Sequence, residues 1–268
     1  MPDIWGAIAE ADVATQQTLA NVLGMLESDA ELQASLETFI AEVVHPPGAR
    51  VLEIGSGTGR LARAVAKRPG VAHVTGIDPS PVLTEKAREL AASLDNVDFE
   101  VMDGRKLSFP DGAFAVVFIV RTLLHIPGPE QVLAEAFRVL IPGGTLAILD
   151  GDGAAISVAI GENDPLQNCI ESVKAAYLND AWIVRRLPGL LRSSGFELLG
   201  SRNHGIVHTA DADVILTQLD RGADVLAASG QIGLELAAAL KSEARRRIEA
   251  GTFFAFSGQA SFIARKPA

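Results

Sequence analysis

VLEIGSGTG, at residues 51–59, is the stretch of this sequence that decides its fold. Its first four residues are mostly apolar, as in a short buried strand, and glycines then stand at Gly55, Gly57 and Gly59. Glycines at a strand end let the backbone turn sharply and let a ligand approach it closely. Free amides at the start of the following helix favour a negatively charged group. We therefore expect a ligand site directly after this strand.

Short apolar strands alternate with helical segments from this stretch as far as residue 150. Predicted strands cover residues 50–54, 71–77, 97–102, 114–120 and 145–149, and predicted helices cover residues 60–67, 81–92 and 129–140. Strands that are apolar on both faces and alternate with helices indicate a parallel sheet covered on both sides. The sequence therefore predicts an open α/β fold.

Helical patterns flank this region on both sides. Residues 4–44 show apolar residues at helical spacing, with a break at Ser28-Asp29 and a stop at Pro46-Pro47. After residue 150 the pattern predicts helices over residues 187–194, 211–219 and 232–250, a strand start at 196–199 and a last strand over 253–265. The stretch 204–251 is long for a connection between strands. Its helical periodicity predicts a cap over a substrate or a contact between two copies of the chain, although ordinary packing of added helices fits equally well.

Composition excludes several classes of protein. A net charge of −10 makes the chain a poor candidate for coating a nucleic-acid backbone, and the basic run 245–247 is interpreted as a solvated helix face. The one cysteine, Cys169, permits no internal disulfide, which fits a reducing cytoplasm. No apolar run approaches the roughly 20 residues of a membrane span, and the stretch MPDIW at residues 1–5 lacks the basic start of a signal peptide. The five His and the one Cys show no metal-ligand spacing. We expect a cytoplasmic protein without metal, membrane span or nucleic-acid partner.

Carboxylates follow the ends of the first three predicted strands. Glu53 is placed to hold the ammonium of an amino-acid ligand. Asp78 is placed to accept hydrogen bonds from both hydroxyls of a ribose. Asp103 is placed to accept a hydrogen bond from the amino group of an adenine, with Met102 packing on the adenine ring. Each also has a plainer interpretation: a solvated acid for Glu53, a helix N-cap for Asp78 and a turn residue for Asp103. The G-x-G-x-G pattern lacks the third glycine of the dinucleotide fingerprint, and a Tyr-x-x-x-Lys pair is absent, which disfavours an NAD(P)-dependent oxidoreductase.

The whole series resembles the class I S-adenosylmethionine-dependent methyltransferases. The resemblance rests on Glu53-x-Gly55-x-Gly57-x-Gly59, then Asp78, then Asp103, then Pro142-Gly143-Gly144 before a strand. The stretch LHIP at 124–127, with Glu135, Arg138, Val139 and Leu140, resembles the ubiquinone and menaquinone biosynthesis methyltransferases. The resemblance is strong over residues 49–150 and weaker near 187–196 and 262–267.

This resemblance implies a fold and a cofactor. The fold is a Rossmann-like α/β sheet, mostly parallel with an antiparallel last strand at 253–265. Residues 1–48 form a helical lid over the cofactor, and residues 49–268 form the methyltransferase domain with a helical cap insertion around 204–251. The cofactor is S-adenosylmethionine, with Arg121, Thr122 and Leu123 on its methionine side. The implied cofactor-binding residues are Glu53, Gly55, Ser56, Gly57, Gly59, Asp78, Pro79, Met102, Asp103, Gly104 and Arg121.

The predicted activity is methyl transfer to a small lipophilic or aromatic molecule, such as a secondary metabolite. His125 and Asp150 are candidate catalytic groups, although His125 can instead shape the cofactor pocket. Candidate substrate-binding residues are Trp5, Tyr177, Trp182 and Arg185. A homodimer is a further expectation. The alternative is a protein of the same fold that binds this cofactor without methylating, or that catalyses another reaction.

Overall fold

The computed structural model describes residues 3–210 and 212–268 of the chain. Its strands are β1 (Ala49–Ile54), β2 (Val71–Asp78), β3 (Val97–Val101), β4 (Phe114–Val120), β5 (Leu140–Ser157), β6 (Glu197–His208) and β7 (Ala255–Arg265). Its helices are α1 (Val13–Ser28), α2 (Ala30–Glu42), α3 (Arg60–Val65), α4 (Pro81–Ala91), α5 (Pro129–Val139), α6 (Leu166–Tyr177), α7 (Ile183–Ser193), α8 (Asp213–Ala228) and α9 (Leu234–Glu249), and a short 3₁₀ turn spans Ile8–Glu10.

The strands of the described residues form a seven-stranded sheet in the order β3-β2-β1-β4-β5-β7-β6. Strands β1 to β5 pair in parallel, and β7 runs antiparallel to β5 and β6. The expected α/β sheet with an antiparallel last strand is therefore confirmed. Strand order reverses between β1 and β4, and open α/β sheets bind ligands at the carboxyl ends of the strands at such a point.

Side-chain alternation along the strands builds a core on each face of the sheet. Val51 and Phe118 pack with residues of α2, α3 and α4 on one face. Leu52 and Ile119 pack with residues of α5 and α7 on the other. Both faces are covered, so most residues of β1 and β4 are buried, although Arg50 at the start of β1 is exposed.

Polar side chains fix where the helices near the site begin. Asp12 accepts from Thr15 N to cap α1, and Asp29 accepts from Leu32 N to cap α2, so the predicted break at Ser28-Asp29 is present. Ser80 caps α4 by accepting from Leu83 N, and Pro81 occupies the first turn. These caps hold α1, α2 and α4 next to the carboxyl end of the sheet.

The C-terminal half differs from its predicted boundaries. Strand β5 continues past residue 149 to Ser157, and β6 continues past residue 199 to His208, because both pair with β7 along its length. The predicted insertion around 204–251 therefore begins in a strand, and its helical part comprises α8 and α9. Helix α6 lies where the sequence pattern predicts no element, and it packs with α8 and α9 as a third apolar cluster.

The basic run at 245–247 also differs from its prediction at one residue. Arg245 and Arg246 lie on the surface and pair with Asp220 and Glu243. Arg247 is only 8% exposed and pairs with the buried carboxylate of Asp164, so the prediction of a solvated face is wrong for this residue. No helix of the described residues has the length and apolar character that crossing a membrane requires.

Candidate active site

A cavity of about 720 Å³ opens at the carboxyl ends of β1, β2 and β4. Its inner half is formed by the turn between β1 and α3 and by the residues that follow β2, β3 and β4. Its outer half is formed by the N-terminal segment, α1, α8 and the start of β7. One cavity thus joins the predicted cofactor residues to walls made by the two ends of the chain.

The glycine-rich turn has a backbone that only glycine adopts easily. Gly55, Gly57 and Gly59 have φ angles of 77°, 52° and 76°. A Cβ atom on Gly55 would lie 2.3 Å from Oγ1 of Thr122, and one on Gly59 would lie 2.5 Å from the Phe99 ring. These glycines therefore serve two needs: the turn itself, and close packing of the turn on its neighbours.

Glu53 is a buried acid at the end of β1. It is 3% exposed and lines the cavity, and its Oε2 accepts from Ala62 N of α3 at 2.9 Å. Burial raises the pKa of this carboxyl well above its ordinary value. The alternative of a solvated acid is wrong, and a cationic ligand group beside Glu53 would favour its charged form.

Asp78 ends β2 and faces the same cavity. Its Oδ2 accepts from Gly57 N and its Oδ1 from Ser80 N, each at 2.9 Å. Burial raises the pKa of Asp78 to about 6. Ser80 provides the cap of α4, so the N-cap alternative for Asp78 is wrong. Each carboxylate oxygen keeps acceptor capacity for a further donor such as a ribose hydroxyl.

Asp103 lies at the rim of the cavity and is partly exposed. It forms an ion pair with Arg105 at 2.8 Å and accepts from Arg105 N, and this arginine lowers the pKa of Asp103. These contacts agree with the interpretation of Asp103 as a turn residue. Met102, Gly104 and Pro79 line the cavity nearby.

Asp150 organises the loop after β4. It is fully buried at the side of that loop, and its carboxylate accepts from the amides of Thr122, Leu123 and Leu124 at 3.3, 2.8 and 3.3 Å and from Gly151 N at 2.9 Å. Burial raises its pKa to about 6. Asp150 is not part of the cavity wall. The structure therefore gives no support to the predicted catalytic role, because backbone amides occupy its carboxylate.

His125 lines the cavity and is held by a residue that sequence reasoning missed. Its Nδ1 lies 2.7 Å from Oδ2 of Asp3, whose side chain is 4% exposed. The same carboxylate accepts from Trp5 N and Asn179 N, each at 2.9 Å. No sequence signal connects Asp3 to His125, since the two residues are 122 positions apart.

The predicted substrate residues separate into two pairs. Trp5 and Tyr177 line the cavity. Trp182 and Arg185 do not: Trp182 is 57% exposed, and the Arg185 guanidinium lies 4.7 Å from its ring centre and bonds to Asp152 at 3.0 Å. The structure gives no support to their predicted contact with substrate, because they bind each other and Asp152 outside the cavity wall, and the contact stays a prediction.

Several residues of the outer half went unnoticed in the sequence. They belong to one face of α8 and to β6 and β7, and they include Ile215, Gln218, Arg221, His208 and Gln259. The helical spacing of apolar residues within 211–219 could have predicted part of this wall. Among the described residues, no group of three or more His, Cys, Asp or Glu side chains is arranged to hold a metal ion.

Comparison with known proteins agrees with this geometry. A family model for the methyltransferase domain matches residues 51–144. The chain is 42% identical over 105 residues to 2-methyl-6-phytyl-1,4-hydroquinone methyltransferase of Synechocystis, covering 39% of this chain and 33% of that protein. It is 29% identical over 181 residues to a ubiquinone/menaquinone biosynthesis C-methyltransferase of Roseobacter denitrificans, covering 58% and 69% of the two chains. A putative methyltransferase of Bacillus halodurans superposes with a TM-score of 0.64 at 22% identity, covering 88% of this chain and all of the other.

The sheet order, the glycine-rich turn at its switch point and the family match define the class. Residues 51–144 match the methyltransferase domain, and the chain has the fold of the class I S-adenosylmethionine-dependent methyltransferases. Within this class it is distantly related to the ubiquinone and menaquinone biosynthesis methyltransferases. The match spans only about a third of the hydroquinone methyltransferase.

S-adenosylmethionine, the methyl donor of this class, fits the inner half of the cavity. Burial disfavours the charged forms of Glu53 and Asp78, so both carboxylates gain from a bound ammonium or hydroxyl donor. The amino-acid ammonium fits Glu53 and the ribose hydroxyls fit Asp78. The individual roles of these residues stay predictions.

Proposed function

We propose that this protein transfers a methyl group to a small lipophilic or aromatic molecule bound in the outer half of the cavity. One observation carries the proposal: a single cavity connects the cofactor residues at the strand ends to a wall that includes Trp5, Tyr177 and Ile215. Apolar walls with a few polar groups suit such an acceptor. The names of two relatives support this class of acceptor: one is a methyltransferase of a phytyl hydroquinone, and the other is a C-methyltransferase of ubiquinone and menaquinone biosynthesis.

In this proposal, holding the methyl donor and the acceptor in line accounts for most of the rate enhancement. When bound, S-adenosylmethionine supplies an already activated methyl group. Glu53 and Asp78 hold the donor in place, and the outer walls hold the acceptor about 3–3.5 Å from the methyl carbon and exclude water. No residue has to activate a leaving group.

His125 is the proposed proton acceptor for a hydroxyl or amine substrate. Nδ1–H donates to Asp3, which leaves the Nε2 lone pair without a hydrogen-bond partner among the described residues. As the acceptor gains the methyl group, its proton moves to Nε2 and then to solvent.

The direct test is formation of S-adenosylhomocysteine from S-adenosylmethionine in the presence of hydroquinones, catechols and naphthols. We expect acceptor-dependent turnover that Asp78→Ala reduces through cofactor binding. His125→Ala should reduce turnover about 10²–10⁴-fold with cofactor binding intact if His125 is the base, and His125→Gln serves as the isosteric comparison. Binding of cofactor without turnover of any acceptor would favour the alternative, a protein of this fold that uses its cofactor for another purpose.

A further inference from the structure

Three of the four arginines that line the cavity differ from most arginines of the chain, whereas the fourth, Arg105, pairs with Asp103. Most arginines of this acidic protein pair with a carboxylate, as do Arg138 with Glu135 and Arg245 with Asp220. In the cavity, Arg60, Arg121 and Arg221 form no ion pair with any carboxylate of the described residues. Because the chain has an excess of acids, these three positions indicate a place for an anion supplied from outside.

Arg121 is the most constrained of the three. It follows β4 with a φ of 51°, the one positive value at a non-glycine residue in 3–210 and 212–268. Among the described residues its guanidinium makes one hydrogen bond, a long one from Nη2 to Oε1 of Gln259 at 3.4 Å. Burial and the nearby Arg60 lower the pKa of Arg121 to about 10. Withdrawing a guanidinium from water without a partner is costly, so a bound anion would stabilise it.

The acids that attract Arg121 are already engaged. Asp150 is occupied by backbone amides of the loop, and Asp29 caps α2 by accepting from Leu32 N. Neither forms a salt bridge with Arg121. The negative charge of these acids stabilises the charged guanidinium of Arg121 from a distance. The N–H donors of Arg121 remain available to a ligand.

Helix α8 adds a second cation to the wall of the outer half. Val214, Gln218 and Arg221 follow one another at spacings of four and three residues, so they share a face of α8, and all three line the cavity. The Oε1 atom of Gln218 is buried without a hydrogen-bond partner among the described residues. This face therefore offers one cation, Arg221, and one free acceptor oxygen, which suits a donor group of the ligand and not its anion, next to apolar side chains.

The Arg121 side chain extends towards β7 and not towards the glycine-rich turn that follows β1. Gln259, which it contacts, belongs to β7, and β5 lies between β7 and β4 in the sheet. Arg60 instead starts α3 directly after Gly59, beside the predicted cofactor turn, so we assign the carboxylate of the cofactor to Arg60. After that carboxylate is assigned to Arg60, two cations remain on the acceptor side.

We propose that the acceptor carries a carboxylate or phosphate group, which Arg121 and Arg221 bind while the apolar walls hold the rest of the molecule. This inference rests on the proposed function, because it assumes that the outer half of the cavity takes the acceptor. Guanidinium groups match both anions through paired N–H donors. The substrate class is thereby narrowed to amphiphilic acids.

The test compares an anionic ligand with a neutral one in protein saturated with S-adenosylhomocysteine. Octyl phosphate and octanoate are the anionic probes, and octanol is the neutral probe of the same chain length. We expect octyl phosphate to bind at least about tenfold tighter than octanol, a difference of about 1.4 kcal/mol. Arg121→Gln and Arg221→Gln should each reduce that preference, and Arg121→Lys should keep part of it.

Arg192→Gln is the matched control, because Arg192 is exposed on α7 outside the cavity and should leave the preference unchanged. Melting temperatures identify any variant that fails to fold, and Arg221→Gln, on the surface of a helix, then tests the proposal independently. Equal affinity of the wild-type protein for octyl phosphate and octanol overturns the proposal.

The cofactor's own carboxylate is the competing source of the anion. If Arg121→Gln weakens S-adenosylhomocysteine binding about tenfold or more but not the binding of 5′-methylthioadenosine, which lacks the amino-acid part, Arg121 holds the cofactor and the proposal is overturned. A wild-type protein that binds no S-adenosylhomocysteine refutes the proposed function instead. In that case, the affinity for octyl phosphate compared with the affinity for octanol decides whether the anion site exists.

Discussion

The carboxylate of Asp3 lies 2.7 Å from Nδ1 of His125, across 122 residues of sequence. Through the same carboxylate the N-terminal segment also holds Asn179 N, so three distant parts of the chain meet beside the cavity. The Trp5 ring lies 5.8 Å from the His125 ring and adds an aromatic contact to this junction. The position of the N-terminal segment and the orientation of His125 are therefore coupled through the Asp3 carboxylate.

Removing Asp3 is expected to release His125 without disturbing the cofactor residues. In the wild-type protein, Asp3 fixes the tautomer with the proton on Nδ1. Asp3→Ala should give a mixture of tautomers in nitrogen NMR spectra of the imidazole and reduce turnover about 10- to 100-fold, with S-adenosylhomocysteine affinity nearly unchanged. Asp12→Ala, which removes another N-terminal carboxylate, is the control and should leave the tautomer fixed. An unaltered tautomer in Asp3→Ala would contradict this role.

Asp78→Ala is expected to weaken binding of S-adenosylhomocysteine by about 1–3 kcal/mol, because ribose hydroxyls and two backbone amides lose their acceptor. Isothermal titration calorimetry measures this loss. The control is Asp98→Ala, which removes an exposed acid of the adjacent strand β3. Asp98 contacts His73, and this variant should bind S-adenosylhomocysteine normally. Equal affinities of the two variants would show that the ribose does not bind at Asp78.

Cofactor affinity is expected to decrease as the pH falls below about 6. The pKa of Asp78 is raised to about 6 in the ligand-free protein, so the carboxylate is ionised above that pH and protonated below it. Ribose hydroxyls donate best to the ionised form, so the dissociation constant should rise by up to about tenfold per pH unit below pH 6.

Asp78→Asn is the variant that identifies the titrating group. It keeps an acceptor oxygen of similar shape but cannot ionise, so its affinity should be lower and its pH dependence between pH 5 and 7 should be flatter. A wild-type dependence that persists in Asp78→Asn would assign the titration to another acid, such as Glu53, which is also buried beside the cavity.

Arg247→Ala is expected to lower the free energy of unfolding by about 3–5 kcal/mol, because it leaves Asp164 buried without its cation. The neighbouring Arg246→Ala removes an exposed pair with Glu243 and should cost about 0–1 kcal/mol. Urea unfolding of the two variants gives the comparison. Similar losses would mean that the pair with Asp164 contributes no more than a surface contact.

The chain up to residue 150 could be predicted closely from sequence. Strands β1, β2 and β4 and helices α4 and α5 have strong local patterns, and Glu53 and Asp78 directly follow or end those strands. Parallel strands place their carboxyl ends at one edge of a sheet, so residues after different strands come together without further information. Fold class and the inner half of the cavity therefore followed from local periodicity.

Residue positions beyond 150 and the role of the termini were decided by tertiary structure. The lengths of β5 and β6 depend on pairing with β7, and the burial of Arg247 depends on Asp164, 83 residues away. Asp150 looked like a catalytic acid in sequence, but the loop after β4 folds over it.

Sequence by itself thus determined the class of fold, the glycine-rich turn and the acids at the strand ends, because these depend on neighbours along the chain. Only the tertiary structure decided which side chains complete the cavity. The contact of Asp3 with His125 and the absence of a carboxylate at Arg121 arise between segments far apart in sequence. Such contacts depend on how packed helices and strands meet, and local periodicity carries no information about them.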